Sequence, residues 1–301
     1  MTEFIRPNGH GTETPKPKAS FRAWYSEQMA LPADSPLRNL AKRADDFLTH
    51  FADYVIYDDP DLLVINKLAG FPTDGIYCTV TQLAQEATGN PNIFPVHRLD
   101  KDTSGVLVLG NNGPTRASMQ RQFTAHEVNK IYAALVQGEG PDKIAGIVAP
   151  MAPPIQPETS EEPVTNRRHM EVVRAEDAET RNAKYSASAF CKLAGLRDSQ
   201  GFPWSLVAVR ILTGRTHQIR VHASHLGFPI MGDREYNSDF SGAPRQMLHA
   251  YKMSFRRPRT DPRHNDRLTF KAPLPPDFKN ILSSMHVEKV NRELYYEIIQ
   301  T

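Results

Sequence analysis

The sequence predicts an α/β protein of the α+β type, with a mixed, largely antiparallel sheet and flanking helices. Three observations carry that expectation. Val106-Leu107-Val108-Leu109 is an uncharged apolar run between Gly105 and Gly110, the pattern of a strand buried on both faces. Tyr185 to Leu193 and Trp204 to Leu212 are two strand candidates joined by a Gly/Asp/Ser turn, and pairing of that kind is antiparallel. Thr216 to Leu226 reads as a helix, with Ile219, Ala223 and Leu226 on one apolar stripe, Thr216 able to cap it and Gly227 and Pro229 able to end it.

The frame is that of an ordinary globular protein. At 301 residues the chain can bury a sizeable core, as one large domain or two small ones. Hydrophobic residues make up 40% and charged residues 23%, and no apolar run approaches the ~20 residues of a membrane span. No secretory signal is visible, and two cysteines, Cys78 and Cys191, point to a reducing compartment; a cytoplasmic location is expected. The formal net charge is only +2, but the cations are clustered. Val207 to Met231 holds three Arg and no acidic residue, and Arg256 to Lys271 holds six Arg/Lys against two Asp. Both are candidate phosphate-contacting regions.

In chain order, residues 1–52 read as an extension, opening with the Pro/Lys linker Thr14 to Lys18 and continuing into one or two helices between Trp24 and Phe51. Tyr54 to Tyr57 and Leu62 to Ile65 are strands, and Thr81 to Thr88 is a short helix broken by Gly89-Asn90-Pro91. Pro114 starts a helix that includes Ala117 and Phe123. Lys130 to Val136 is a strand whose alternation puts Lys130 and Tyr132 on one face. Residues 137–182, with prolines at 150, 153, 154, 157 and 163, read as an irregular loop, and Arg167 to Met170 as the start of the next strand. Met247 to Phe255 is a closing strand, residues 53–285 make the main domain, and 286–301 a C-terminal tail.

The least ordinary stretch is Pro95 to Gly105. It sets His97, Arg98, Asp100, Lys101 and Asp102 directly beside the buried strand, where charge carries a heavy desolvation cost. Such polar density belongs to an exposed loop rim or to a reaction site. His97-Arg98-Leu99-Asp100 with Thr103-Ser104-Gly105 resembles the signature of the RluA class of pseudouridine synthases, and Thr213 to His222 resembles a second block of that family. Weaker matches run from about Tyr54 to Phe278; Asn66 to Gly70 resembles the first motif, with Leu68 where the family usually has Pro. The small S4-type RNA-binding module carried by many members has no counterpart in residues 1–52.

The resemblance implies a pseudouridine synthase fold with a basic catalytic cleft, and isomerisation of uridine to pseudouridine in structured ribosomal or transfer RNA. It implies Asp100 as the nucleophile, by attack on the ribose or by assisting a glycal, with Tyr132 stacking on the target uracil and Arg220 pairing with the aspartate. Arg98 would fill the space vacated by a flipped nucleotide, and Arg215 would meet phosphate. His97, Thr103, Lys130, His217, Gln218 and Ile219 complete the expected substrate-binding set. The isomerisation needs neither redox cofactor nor metal, and the spacings of His217, His222 and His225 do not match a helical zinc pair. RNA is the expected partner, the chain a monomer without an obligatory protein partner and without a membrane association. The reading from another class is a catalytically silent RNA-binding or RNA-folding protein on the same scaffold; Asp100, Tyr132 and Arg220 together favour the enzyme.

Overall fold

The computed structural model describes residues 21–75, 78–155, 169–237 and 242–291. Two compact units divide it, 1–47 and 48–301. In the first, α1 (Phe21–Met29) buries Trp24, whose ring lies 5.8 Å from that of Phe21. The helix α2 (Pro36–Thr49) runs across the boundary between the units and turns Ala41, Ala44 and Phe47 inward, an i, i+3 stripe.

The second unit opens with α3 (Phe51–Tyr54), β1 (Val55–Asp58) and β2 (Leu62–Lys67). The β1–β2 turn is built by Asp59, whose Oδ1 accepts from the amides of Asp61 and Leu62 at 2.9 and 2.7 Å. Then come α4 (Val80–Thr88), held by a Thr79–Gln82 capping box, and β3 (Phe94–Pro95). The fully buried β4 (Ser104–Gly110) precedes α5 (Gly113–Thr124), capped by Asn112. The strands β5 (Asn129–Gln137), β6 (Ala145–Ala152), β7 (Glu171–Val172), β8 (Lys184–Arg197) and β9 (Pro203–Ile211) lead into α6 (Gln218–His225). The chain closes with β10 (Leu248–Arg256), β11 (Arg267–Lys271), α7 (Pro276–Ser283) and β12 (His286–Val290).

The twelve strands of the described residues join one sheet in the order β1-β2-β4-β10-β5-β9-β8-β6-β7, with β11 on β10, β12 on β8 and β3 on β4. Only β4 and β10 pair in parallel among the described residues. Their contact is close enough that Gly105, at φ +111°, has no room for a side chain: a Cβ there would sit 2.3 Å from the Ala250 carbonyl oxygen. That glycine therefore lets the 95–105 loop enter the centre of the sheet. Met119 of α5 packs with Val106, Val108 and Phe255, and Phe278 of α7 with Leu135, Trp204 and Tyr251.

The structure departs from the sequence expectations in three places. Within 137–182, Ala145–Ala152 form a strand paired with β8 over seven residues, despite Pro150. Near a sheet edge a proline is tolerated, because its carbonyl still accepts, here from the Val173 amide at 3.0 Å. Residues 286–290, placed in the tail, pair with the end of β8. Third, α6 begins at Gln218, not at Thr216, and its N-cap is His217 in a left-handed conformation, φ 55°. No side chain caps it; Gln218 instead reaches back to fix the preceding turn, its Oε1 accepting from the Arg215 amide at 3.0 Å and the Thr213 hydroxyl at 2.7 Å. Arg167 and Arg168 lie outside the described residues.

Buried imidazoles wire the sheet to its surroundings. Ser186 donates to the Ala149 carbonyl, so it must accept from His222 Nε2 at 2.9 Å; His222 Nδ1 then accepts from Ser188, which accepts from Gln218 Nε2. His249 likewise donates Nε2–H to the Ala272 carbonyl and faces Ser104 through Nδ1. Burial pulls both rings from 6.5 down to about 4. The unfolded chain takes up these protons as the pH falls below 6.5 while the native chain does not, so stability should drop between about 6.5 and 4 and level off below. Urea midpoints measured across that range check it. His222→Gln should flatten part of the slope, and an unchanged slope would mean that the ring is not held neutral.

Candidate active site

Leu99 to Thr103 form the loop that enters β4, and each carbonyl in it has a donor. Leu99 O accepts from Thr73 Oγ1 at 3.0 Å, Asp100 O from the Thr103 amide at 3.1 Å and Lys101 O from the Gly70 amide at 2.8 Å. Asp102 O accepts from Arg245 Nη1 at 3.0 Å. Lys67, fully buried at the end of β2, spends its ammonium on the carbonyls of Leu68, Lys101 and Thr103 at 2.8–3.0 Å. Arg245 is itself held by a bidentate pair with Asp277 at 2.7 and 3.1 Å. Two buried cations thus hold the loop, and its half-exposed carboxylates, Asp100 and Asp102, both face the cleft.

Two confluent hollows meet at Asp100. The larger, about 610 Å³, runs past Lys101, Asp102, Arg234, Glu235 and Arg245. The smaller, about 90 Å³, is walled by Leu99, Tyr132, Ile211, Ile219 and Leu248. Arg98, Thr216, His217 and Arg220 line both. Tyr132 is 7% exposed, and burial together with the negative charge of Asp100 pushes its phenol above the usual range.

Arg220 and Asp100 do approach, from helix and loop, with Nη1 to Oδ2 at 3.7 Å. The guanidinium fork, however, is not on Asp100. Asp233, its carboxylate wholly shielded from water, takes the fork at 2.7 and 2.8 Å, and Glu235 accepts from Nη2 at 3.0 Å. Burial by itself would lower the Arg220 pKa, but Asp233, Asp100 and Glu235 outweigh it and hold the group above its ordinary value. The Tyr236 ring lies under the guanidinium at 4.9 Å, and its hydroxyl bonds the Met170 amide and His217 Nδ1. His217 is pulled below 6.5 by burial, which outweighs the attraction of Asp100.

The other expected substrate-binding residues divide. Arg98 is exposed at the mouth, Thr103 lies on the wall with its hydroxyl accepting from Gln246 at 2.9 Å, and Arg215 is exposed with Nε on the Tyr185 carbonyl. Gln218 and Ile219 reach the smaller hollow. His97 and Lys130 do not line either hollow. His97 turns inward, stacks on Phe123 at 4.9 Å and accepts the Val108 amide at Nε2; burial, then the charge of Lys130, pulls it down to about 3. Lys130 donates to the carbonyls of Leu212 and Thr213 at 3.4 and 3.3 Å, supporting the turn that leads to Arg215, and burial pulls its pKa to about 8. Strand alternation placed Lys130 and Tyr132 on one face, but only Tyr132 lies far enough along β5 to reach the hollow.

A family model described as RNA pseudouridylate synthase matches residues 61–225, more than half of the chain. The chain belongs to this family. It is an RNA pseudouridine synthase of the RluA class, an isomerase. It is 30% identical to a ribosomal large subunit pseudouridine synthase C of Buchnera aphidicola, over 79% of this chain and 72% of that protein. It is 31% identical to a tRNA pseudouridine synthase C of Haemophilus ducreyi, over 68% of this chain and 86% of that protein. Among solved structures, human RNA pseudouridylate synthase domain containing 1 superposes with a TM-score of 0.63 at 27% identity, covering 80% of this chain and 90% of that one.

Several residues that shape the synthase's cleft were not singled out from the sequence. Lys67, Asp233, Glu235 and Arg245 each sit in short polar segments next to apolar strands, as the 95–105 loop does. The signal was present in Met231-Gly232-Asp233: Gly232, at φ +72°, leaves no space for a Cβ, which would fall 2.0 Å from the Arg245 carbonyl oxygen. Glycine there lets the Asp233 turn press against the Arg245 segment. Asp233 Oδ1 then accepts from the Glu235 and Tyr236 amides at 3.1 and 3.3 Å, presenting its carboxylate to Arg220. Among the described residues no helix is long and apolar enough to cross a membrane.

Proposed function

We propose that this synthase converts a uridine of ribosomal or transfer RNA to pseudouridine with Asp100 as nucleophile and the target base flipped into the Tyr132 hollow. The observation that carries the reading is the position of the Asp100 carboxylate, at the junction of a wide polar cleft and a narrow apolar-walled one, with Arg220 Nη1 3.7 Å away. A uracil out of its stack would lie on the Tyr132 ring, while the strand continues through the larger hollow. Arg98, at the mouth of both hollows, would occupy the gap left in the stack.

In this reading the carboxylate forms a bond to ribose C1′ as the C1′–N1 bond breaks, and uracil leaves as its N1 anion. The ring turns within the hollow, C5 attacks C1′, and the aspartyl bond breaks to return the carboxylate. A proton leaves C5 and one is gained at N1, so no electrons are exchanged with a cofactor. Arg220 stabilises the carboxylate before attack and on departure, when its charge is highest. Relatives named for ribosomal and for transfer RNA match at nearly equal identity, which supports structured RNA of these two kinds as the substrate.

Chemical mapping of pseudouridine in both RNA pools, with and without the gene, tests the assignment. Loss of a discrete site that returns with the wild-type chain but not with Asp100→Asn is the expected result. Unchanged maps in both pools would overturn the substrate assignment.

A further inference from the structure

A second polar cleft lies at the far end of β10. It has a volume of about 530 Å³ and is formed by α5 and the loop from β10 to β11. Arg121, Arg256 and Arg259 line it, are exposed, and among the described residues have no Asp or Glu within 4 Å of their guanidiniums. His264 and Arg257 add to the lining, and Glu127 is its one carboxylate.

The neighbouring acids are turned to other work. Asp261 is bound by Arg257 and Arg263 at 2.9 and 3.0 Å. Asp59 takes the Tyr57 hydroxyl and Arg257, and Asp61 takes the hydroxyls of Thr115 and Thr260 at 2.8 and 2.9 Å. The backbone under the free arginines is fixed as well. The Gln122 side chain both donates to the Arg256 carbonyl and accepts its amide, and the Arg259 amide donates to Ser118. Three uncompensated guanidiniums on a fixed frame repel one another unless an anion lies between them, and their forks suit phosphate oxygens.

We propose that this cleft is a second RNA-binding site that grips backbone phosphates of the same RNA whose uridine enters the catalytic hollow. The inference rests on the RNA-modifying reading above and adds a distant anchor to it. Leu248 at one end of β10 lines the catalytic hollow and Arg256 at the other end lines the basic cleft. Eight residue steps of extended strand separate them by about 27 Å. A structured RNA can bridge that span, whereas a loop-sized fragment seated at Asp100 cannot.

The test compares a stem-loop RNA of about 30 nucleotides with its loop strand alone, about six nucleotides, by fluorescence anisotropy over a range of salt. The proteins are the wild type, the triple variant Arg121→Ala/Arg256→Ala/Arg259→Ala, the single variant Arg259→Glu, and a control, Lys143→Ala/Arg174→Ala/Lys184→Ala, that removes equal charge elsewhere. The triple variant should lose roughly tenfold or more in stem-loop affinity at 0.1 M salt, with a salt slope shallower by about two to three. Its loop-strand affinity should stay within about twofold of wild type, and Arg259→Glu should show the same pattern in smaller degree. With a modifiable stem-loop, KM should rise while the saturated single-turnover rate holds. Equal losses in the control, or wild-type binding by the triple variant, would overturn the second site and leave the active-site reading standing. Failure of the wild type to bind either RNA would instead overturn that reading, and the anchor with it.

Discussion

Asp100→Asn should remove turnover by at least about three orders of magnitude, read as tritium release from RNA labelled at uridine C5. The substitution is isosteric, and the loop that carries it is held through main-chain carbonyls by Lys67, Arg245, Thr73 and Gly70, bonds that the change of side chain leaves in place. The fold and the cleft should therefore persist. RNA affinity should stay within a few-fold of wild type: in the proposed reading it derives from many phosphate contacts, whereas the carboxylate acts on the reacting bond. Asp102, the neighbouring acid, has its carbonyl on Arg245 and lines only the larger hollow, so Asp102→Asn should retain most of the rate. Near-normal release by Asp100→Asn would refute the nucleophile.

Arg220→Met should be the more damaging change to the protein as a whole. It strands the Asp233 carboxylate, which is fully shielded and among the described residues keeps only the amides of Glu235 and Tyr236 as donors. Breaking a buried pair from one side costs about 3–5 kcal/mol. The urea midpoint should fall accordingly, and the single-turnover rate should collapse. The double variant Arg220→Met/Asp233→Asn separates the two effects. It should recover most of the midpoint, since the one fully shielded carboxylate is then neutral, yet stay as inactive as the single variant, because Asp100 still lacks its cation. Arg220→Lys should regain part of the rate, since an ammonium supplies attraction but cannot hold Asp233 by two bonds and face Asp100 at once. An active double variant would mean that Arg220 serves only to hold the Asp233 turn.

The pattern of apolar runs was enough to read β2, β4, β5, β8, β9 and β10 from the sequence, because each carries a run of buried apolar residues bounded by turn residues. The strand β6 was not legible: its outer residue Val148 is 73% exposed, and Pro150 mimics a loop, so only pairing with β8 makes it a strand. The start of α6 was misread because Thr216 has the composition of a cap, while the left-handed His217 and the backward reach of Gln218 depend on Ser188 and Ala187 of β8.

At the cleft the division is sharper. The sequence by itself determined the residue types, the unusual density of charge beside a core strand, and the two blocks that carry the family. Only the tertiary structure decided who holds whom. Arg220 meets Asp100 but gives its fork to Asp233, thirteen residues away along a turn that Gly232 permits. Lys67 and Arg245 reach the Asp100 loop from positions 34 and 143 residues distant. His97, near Asp100 in the chain, turns away from both hollows and stacks on Phe123. The reason is physical: a buried charge is stable only where its partners converge on it in space, and spacing along the chain carries no record of that convergence.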